Sequence, residues 1–214
     1  MKFQTTRLFK VFSVLIAIST GGAIHAATLV TNFGEEWAEQ IMLTSSLEFT
    51  QAFTTGSSGA TLQELTFIGG SGFLETNIEY LSVKLYAGNG TLLGAFTNPA
   101  NVAGPFSNQT ITFSGNFSLN SNSTYSIGLT VDPLADSSGY GYLDYTSSLN
   151  QRGLDGWGIG NNFATWQAGR TTAPAYTTGA LSMSLSGVVP EPSSLSLLVL
   201  GLSGLAVLRR LRAG

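Results

Sequence analysis

The stretch from Leu47 to Thr54 (LEFTQAFT) decides the fold class. Its odd-numbered positions carry Leu, Phe, Gln and Phe, whereas its even-numbered positions carry Glu, Thr, Ala and Thr. Alternate residues of an extended chain point to opposite faces, so this pattern is typical of a strand with one buried face. We therefore predict a strand here, with Leu47, Phe49, Gln51 and Phe53 on the same face.

The same pattern recurs along the middle of the chain, which indicates an all-β domain. Further strands are predicted at Leu62 to Ile68, Ile78 to Tyr86, Thr91 to Thr97, Thr110 to Phe113, Tyr125 to Val131, Tyr140 to Tyr145 and Ala180 to Leu185. Turn-forming clusters separate them, namely Gly88-Asn89-Gly90, Asn98-Pro99, Gly104-Pro105, Ser114-Gly115-Asn116 and Ser137-Ser138-Gly139. Short strands between such turns favour an antiparallel β-sandwich or jelly roll. One short helical turn is predicted, at Glu35 to Gln40.

Composition and charge exclude several classes of function. Only 10% of residues are charged. Between positions 28 and 189 the sequence has three basic residues and eleven acidic residues. Such a domain lacks the cations that neutralise a phosphate backbone, so nucleic acid is not expected as a partner. The chain has no cysteine, and its one histidine is His25. No motif for a nucleotide or another cofactor is present, and we expect none.

The first 26 residues have the three-part order of a secretory signal peptide. Three cations lie within the first ten residues, Val11 to Ile18 is apolar, and small residues lead to Ala26 and Ala27. We predict cleavage after Ala26, which removes His25. The alternative, an uncleaved membrane anchor, requires a longer apolar run, since a spanning helix needs roughly 20 residues.

The last 26 residues have the features of a membrane-held tail. Two prolines in Val189-Pro190-Glu191-Pro192-Ser193 precede an apolar segment, residues 194–208, and Arg209, Arg210 and Arg212 follow it. Arginines after an apolar helix stay on the cytoplasmic side, so the domain is expected outside. A buried core helix is the alternative, but it does not explain the basic end.

This C-terminal order of motif, apolar helix and basic end resembles the PEP-CTERM class of sorting signals. The resemblance rests on Val189 to Ser193, on the apolar segment and on Arg209-Arg210. It implies an inner-membrane intermediate that an exosortase, an integral-membrane transpeptidase, processes near Pro190-Glu191-Pro192. The protein is then expected at the cell surface or outside the cell.

The stretch from Leu47 to Tyr145 resembles choice-of-anchor domains of the R type. The matching segments are Gln51 to Gly56 (QAFTTG), Val83 to Gly94 (VKLYAGNGTLLG), and Phe117 to Leu119 leading to Thr124 to Leu129. The resemblance implies a β domain that recurs with interchangeable C-terminal anchors. It supplies no catalytic residues.

Candidate sites in the domain are few, because nucleophilic catalysis and common zinc sites depend on His or Cys. Oxygen ligands at Asp132, Asp136, Asp144, Asn150 and Asp155 could suit calcium, although no EF-hand spacing is present. The carboxylates available for glycoside hydrolysis are Glu35, Glu36, Glu39, Asp144 and Asp155, but nothing in the sequence pairs them. Trp37, Trp157 and Trp166 fall in predicted loops and either stack on sugars or cover the ends of the core.

These observations predict three segments: a signal peptide (1–26), a β domain (27–188) and a sorting signal (189–214). The sorting signal divides into the motif (189–193), the transmembrane helix (194–208) and the basic tail (209–214). Our first hypothesis is an exported, non-enzymatic surface or extracellular-matrix protein whose partners are an exosortase and the inner membrane. The alternative is a carbohydrate-binding module or weak glycosidase that acts on exopolysaccharide.

Overall fold

In the part of the chain that the structure describes, strands joined by turns and loops form the domain, and no helix is present. The computed structural model describes residues 26–34, 37–69, 81–99, 109–131, 142–146, 150–167 and 173–190. The strands are β1 (Ala27–Thr31), β2 (Trp37–Met42), β3 (Leu47–Thr54), β4 (Ala60–Gly69), β5 (Leu81–Ala87), β6 (Leu92–Ala95), β7 (Gln109–Leu119), β8 (Thr124–Val131), β9 (Tyr142–Thr146), β10 (Arg152–Gly153), β11 (Gly158–Gln167), β12 (Ala175–Thr178), β13 (Ala180–Leu181) and β14 (Met183–Val188). The all-β prediction is confirmed.

The strands form two antiparallel sheets. The larger sheet has the order β10-β1-β14-β4-β9-β13, with β2 paired to β9 and β7 paired to β4. The smaller sheet has the order β12-β11-β3-β8-β5-β6. The predicted antiparallel arrangement is therefore confirmed, whereas the finer choice between a sandwich and a jelly roll stays a prediction.

The stretch that predicted the fold lies at the centre of the smaller sheet. Strand β3 spans Leu47–Thr54, the predicted bounds, and pairs with β11 on one side and β8 on the other. Its alternation places Phe49 and Phe53 in the core, where the Phe53 ring stacks on Tyr125 at 5.7 Å between centroids. Tyr145 of the larger sheet meets Phe163 of the smaller sheet edge to face at 5.3 Å. The two sheets thus share one apolar core.

Two buried amide side chains join strands at places where the backbone ladder is broken. The Asn32 side chain accepts a hydrogen bond from the Met183 N–H (2.7 Å) and donates one to the Leu181 carbonyl (2.9 Å). Gln51 accepts a hydrogen bond from the Leu181 N–H across the core at 3.0 Å and donates to the Gly160 carbonyl at 2.8 Å. The backbone N–H and carbonyl of Leu181, the last residue of β13, are therefore both satisfied inside the protein.

Three sequence predictions about local structure were wrong. Trp37–Met42 is a strand paired with β9, although residues up to Gln40 were predicted to form a helical turn. The cluster Ser114-Gly115-Asn116 lies inside β7 rather than in a turn. Trp166 lies in β11 and not in a loop. Pairing with neighbouring strands overrode the local preference in each case.

Neither the predicted signal peptide nor the predicted transmembrane helix falls within the described residues. The signal segment up to residue 25 and the tail from residue 191 lie outside them. Among the residues that the structure does describe, no helix has the length and apolar character needed to cross a membrane.

Candidate functional site

The candidate functional site is the junction between the last strand and the predicted sorting tail. Strand β14 lies inside the larger sheet, between β1 and β4. Near its end, Gly187 is in register with Ala27 of β1, and Val188 is in register with Thr61 of β4. The strand is therefore paired along both edges almost to the point where the tail begins.

A β-bulge at Gly187 fits the end of strand β14 between β1 and β4. The register of β14 against β4 shifts between Ser186 and Gly187. A Cβ added at Gly187 would collide with the Thr61 carbonyl oxygen and lie 3.1 Å from the Leu62 Cα. Both contacts are with backbone, which cannot rotate away, so the position accepts only glycine without a shift of β4.

The first two residues after the strand mark the change from core to solvent. Val189 is half-buried and packs against the core, whereas Pro190 is exposed. Proline has no N–H to donate and has a fixed φ, so it ends the ladder here. The rest of the predicted motif, Glu191 to Ser193, and the basic residues Arg209, Arg210 and Arg212 lie outside the described residues.

The structure places the predicted sugar-stacking residues in different environments. Trp157 is buried in the core, and its ring lies parallel to Phe53 at 6.4 Å between centroids. Trp166 is half-buried on the outer face of the smaller sheet, where its indole N–H donates to the Thr50 hydroxyl at 3.0 Å. Trp37 opens β2, opposite Thr146. Trp157 and Trp166 therefore belong to opposite faces of the smaller sheet.

A second aromatic residue, which the sequence pattern did not predict as a candidate, lies on that outer face. Tyr176 of β12 is 71% exposed and is in register with Ala164, which in turn is in register with Thr50. Tyr176, Ala164 and Thr50 thus form one row across three neighbouring strands, which we call the Thr50 row. The Trp166 indole is hydrogen-bonded to Thr50 of this row. Strand β12 (AYTT) carries a single large side chain, so it shows no alternation of apolar and polar residues that would reveal it.

The acidic candidates are separated in the described part of the chain. Asp144 is only 2% exposed and accepts a hydrogen bond from the Gln40 amide at 3.0 Å, whereas Asp155 is exposed in a turn. Burial raises the pKa of Asp144, and the hydrogen bond from Gln40 partly opposes this rise. The described residues contain no group of three acidic side chains suited to a metal ion. Asp132 and Asp136 lie outside them.

The carboxylates considered for glycoside hydrolysis do not form a pair on β2 and β9. Glu39 accepts a hydrogen bond from the Tyr145 hydroxyl at 2.6 Å, and this bond, more than burial, raises the pKa of Tyr145. Asp144 instead bonds to Gln40, the residue after Glu39. Because successive side chains of a strand point to opposite faces, Glu39 and Asp144 lie on opposite sides of the sheet.

Comparison with known proteins identifies the tail. Residues 188–212 match the family model described as the PEP-CTERM protein-sorting motif. Among curated proteins, no match to the chain was found. The matched residues begin at the last residue of β14, so the motif follows the folded domain without a gap. The chain therefore carries a PEP-CTERM protein-sorting motif over residues 188–212, which implies export and exosortase-dependent sorting.

Proposed function

We propose that the chain is a non-enzymatic structural protein of the cell surface or extracellular matrix, delivered by its sorting tail. The observation that carries this proposal is the PEP-CTERM motif attached directly to the interior strand β14. A β domain precedes the motif, and the sequence from position 27 to position 188 contains neither His nor Cys. The resemblance of Leu47 to Tyr145 to choice-of-anchor domains supports the same role.

The tail acts, in this proposal, by holding the precursor in the inner membrane until an exosortase cuts it. The apolar segment 194–208 spans the bilayer, and Arg209, Arg210 and Arg212 stay in the cytoplasm. Moving one arginine to the bilayer centre costs roughly 3 kcal/mol on insertion scales, so three of them stop translocation. The motif is then held at the outer surface, in extended backbone, because proline disfavours helix at itself and just before.

Fractionation of the native host tests the two parts of the tail separately. Replacement of Arg209, Arg210 and Arg212 by Gln is expected to reduce the membrane-bound precursor before cleavage. Replacement of Pro190, Glu191 and Pro192 by Ala is expected to leave the precursor in the membrane and block its conversion to the shorter form. Equal conversion of the triple-alanine variant and the wild type would show that the motif does not direct processing.

A second candidate function, glycan binding, is favoured by the outer face of the smaller sheet. Trp166 and Tyr176 place two aromatic rings near the Thr50 row, and aromatic faces combine apolar area with polar edges in a way that suits sugar rings. The ligand class is exopolysaccharide, as a neutral or weakly charged chain. Trp157 takes no part, since it is buried against Phe53.

Affinity electrophoresis in gels containing the host's exopolysaccharide tests this second function. Trp166→Ala and Tyr176→Ala are expected to lose the retardation seen with the wild type. Met42→Ala is the matched control, because Met42 is also a large exposed side chain (49%) but lies on β2 of the other sheet. Retardation that is absent in the wild type, or unchanged in both aromatic variants, would rule the function out.

A further inference from the structure

Both ends of the folded domain, and the loops between the two sheets, meet at one end of the molecule. Strand β1 begins at Ala27, in register with Gly187 near the end of β14. The loop 55–59 carries the chain from β3 to β4, and the turn 120–123 carries it from β7 back to β8. These two connections are joined by hydrogen bonds from the Asn122 N–H to the Gly56 carbonyl (2.8 Å) and from the Thr55 hydroxyl to the Asn120 carbonyl (2.7 Å).

Register places the β5–β6 hairpin at the same end. Ala87, the last residue of β5, is in register with Tyr125 of β8, close to the turn 120–123. The turn 88–91 follows, and Leu92 opens β6. The turn 154–156 lies there too, because the Asp155 carbonyl lies against Gly56 of the loop 55–59. We call the following region the tail end of the domain: Ala27, Val188–Pro190, the loop 55–59, the turn 120–123, the hairpin 87–93 and the turn 154–156.

The tail end carries most of the exposed apolar side chains in the described part of the protein. Five large apolar side chains are exposed in the described residues, and three of them lie at the tail end: Leu92, Leu93 and Leu154. The other two are Met42 and Tyr176. Leu92 and Leu93 are 53% and 44% exposed on the hairpin. Leu154 is 39% exposed, and its N–H donates to the Leu29 carbonyl, two residues from Ala27. Single exposed leucines are ordinary, but three at the end that leads to an apolar tail point to one surface.

The tail leaves little distance between this end and the bilayer. Val189 packs against the core, so only residues 190–193 separate the domain from the apolar segment. Four extended residues span at most about 14 Å. A domain held this closely cannot turn its tail end away from the membrane.

We propose that, in the membrane-held precursor, the tail end rests on the outer surface of the bilayer with Leu92 and Leu93 in contact with lipid. This inference rests on the proposed function, since it requires the tail to span the membrane. The partner is lipid rather than another protein, because the short connection 190–193 holds the leucines opposite the surface of the bilayer.

The contact is expected to be apolar, because the tail end carries no cluster of basic side chains among the described residues. The basic side chains in the described residues are Lys84, in the middle of β5, and Arg152, in register with Thr31 at the far end of β1. The turn beside Gly56 carries the exposed carboxylate of Asp155 instead. Attraction of a polybasic surface to anionic lipid is therefore not involved, and salt should not weaken the contact.

Site-specific fluorescence quenching tests the proposal on the full precursor. The chain has no cysteine, so Leu93→Cys provides a single labelling site, and Ser46→Cys provides the matched control. Ser46 precedes the eight-residue strand β3 at its other end, about 26 Å from the tail end. Both are made in the precursor with Pro190, Glu191 and Pro192 replaced by Ala, which keeps the tail, and are placed in phosphatidylcholine vesicles that contain nitroxide-labelled lipid and no exosortase.

The label at position 93 is expected to lose most of its fluorescence, whereas the label at position 46 should lose none, at low and at high salt. Leu92→Cys repeats the measurement should the first variant fail to fold. If the protein floats with the vesicles but position 93 is not quenched, the inference is wrong and the membrane-spanning tail stands. If the protein does not float with the vesicles, the membrane-held precursor itself is wrong.

Discussion

Gln51 explains why a polar residue stands on the core face of the central strand. It is fully buried, and its amide bonds to backbone groups on both sheets, Leu181 in one and Gly160 in the other. The Gly160 carbonyl is exposed to the core because the register of β11 against β3 shifts between Ile159 and Phe163. Glutamine supplies both a donor and an acceptor on a side chain long enough to cross the core.

Replacement of Gln51 by Leu should therefore destabilise the domain strongly. The variant leaves the Leu181 N–H and the Gly160 carbonyl without partners in the core, at a cost of about 2–4 kcal/mol in the free energy of unfolding. Gln167→Leu is the matched control, since Gln167 is exposed at the end of β11 and should change stability by less than about 0.5 kcal/mol. Urea unfolding of the two variants checks this, and equal midpoints would contradict the role given to Gln51.

Asp144 should make stability depend on pH in an unusual direction for a carboxylate. Its pKa is raised in the folded state from the ordinary value of 3.8, mainly by burial. The unfolded chain then loses this proton at lower pH than the folded protein does. The resulting stabilisation is fully present below the unfolded pKa and is lost as pH rises through the folded pKa.

Asp144→Asn should remove this component while keeping an oxygen that accepts the hydrogen bond from Gln40. We expect the free energy of unfolding of the wild type to fall relative to that of the variant as pH rises above the ordinary pKa of 3.8. Chemical unfolding at several pH values between 3 and 7 measures the difference. A constant difference across that range would show that Asp144 titrates alike in both states.

At the scale of the strand, alternation predicted the elements that have one clean apolar face. The strand over Leu47–Thr54 was predicted with its observed bounds, because Phe49 and Phe53 are large and regularly spaced. Strand β11 was missed because Gly158, Gly160 and the two asparagines that follow are residues that strands usually lack. It is extended because it pairs with β3 and because Gln51 satisfies the irregular part of its backbone.

The wrongly predicted turn at Ser114 to Asn116 has a specific physical cause. Gly115 lies where two rings approach the backbone of β7, and the rings of Phe96 and Phe117 are 4.8 Å apart. A Cβ at Gly115 would come within 2.5 Å of the Phe117 ring and 2.9 Å of the Phe96 ring. Gly115 leaves space for these two aromatic rings against the backbone of β7, and the chain does not turn at this position.

Gly115→Ala should consequently destabilise the domain by about 1–3 kcal/mol, although alanine favours a strand more than glycine does. The matched test is the same change in a Phe117→Leu background, where the smaller side chain leaves room for the new methyl group. Thermal unfolding of the four proteins forms a cycle. If the cost of Gly115→Ala is the same in both backgrounds, crowding by Phe117 is not its cause.

At the scale of the whole molecule, the position of β14 links folding to sorting. The strand is interior, between β1 and β4, so the larger sheet is incomplete until residue 188 is available. Sequence patterns predicted the tail from its prolines, apolar run and arginines, and the family match supports it. They did not predict that Ala27 and Gly187 are paired, because register between distant strands depends on the packed core.

Truncation tests the structural need for the last strand. Residues 27–190 should unfold cooperatively on heating, whereas residues 27–182 should not, because removal of β14 leaves β1 and β4 with unpaired edges inside the sheet. Circular dichroism during thermal unfolding distinguishes the two proteins. A cooperative transition in the shorter protein would show that the remaining strands close the sheet without β14.

In our proposal the tail directs processing of an exported β domain, and intact mass spectrometry of the protein from its native host shows whether it does. The wild-type protein is expected to begin at Ala27 and to end near Pro190-Glu191-Pro192. The variant with these three residues replaced by Ala is expected to have the same N-terminus and a C-terminus at Gly214. A wild-type protein that keeps Gly214, or a variant shortened like the wild type, would show that the tail does not direct processing through this motif.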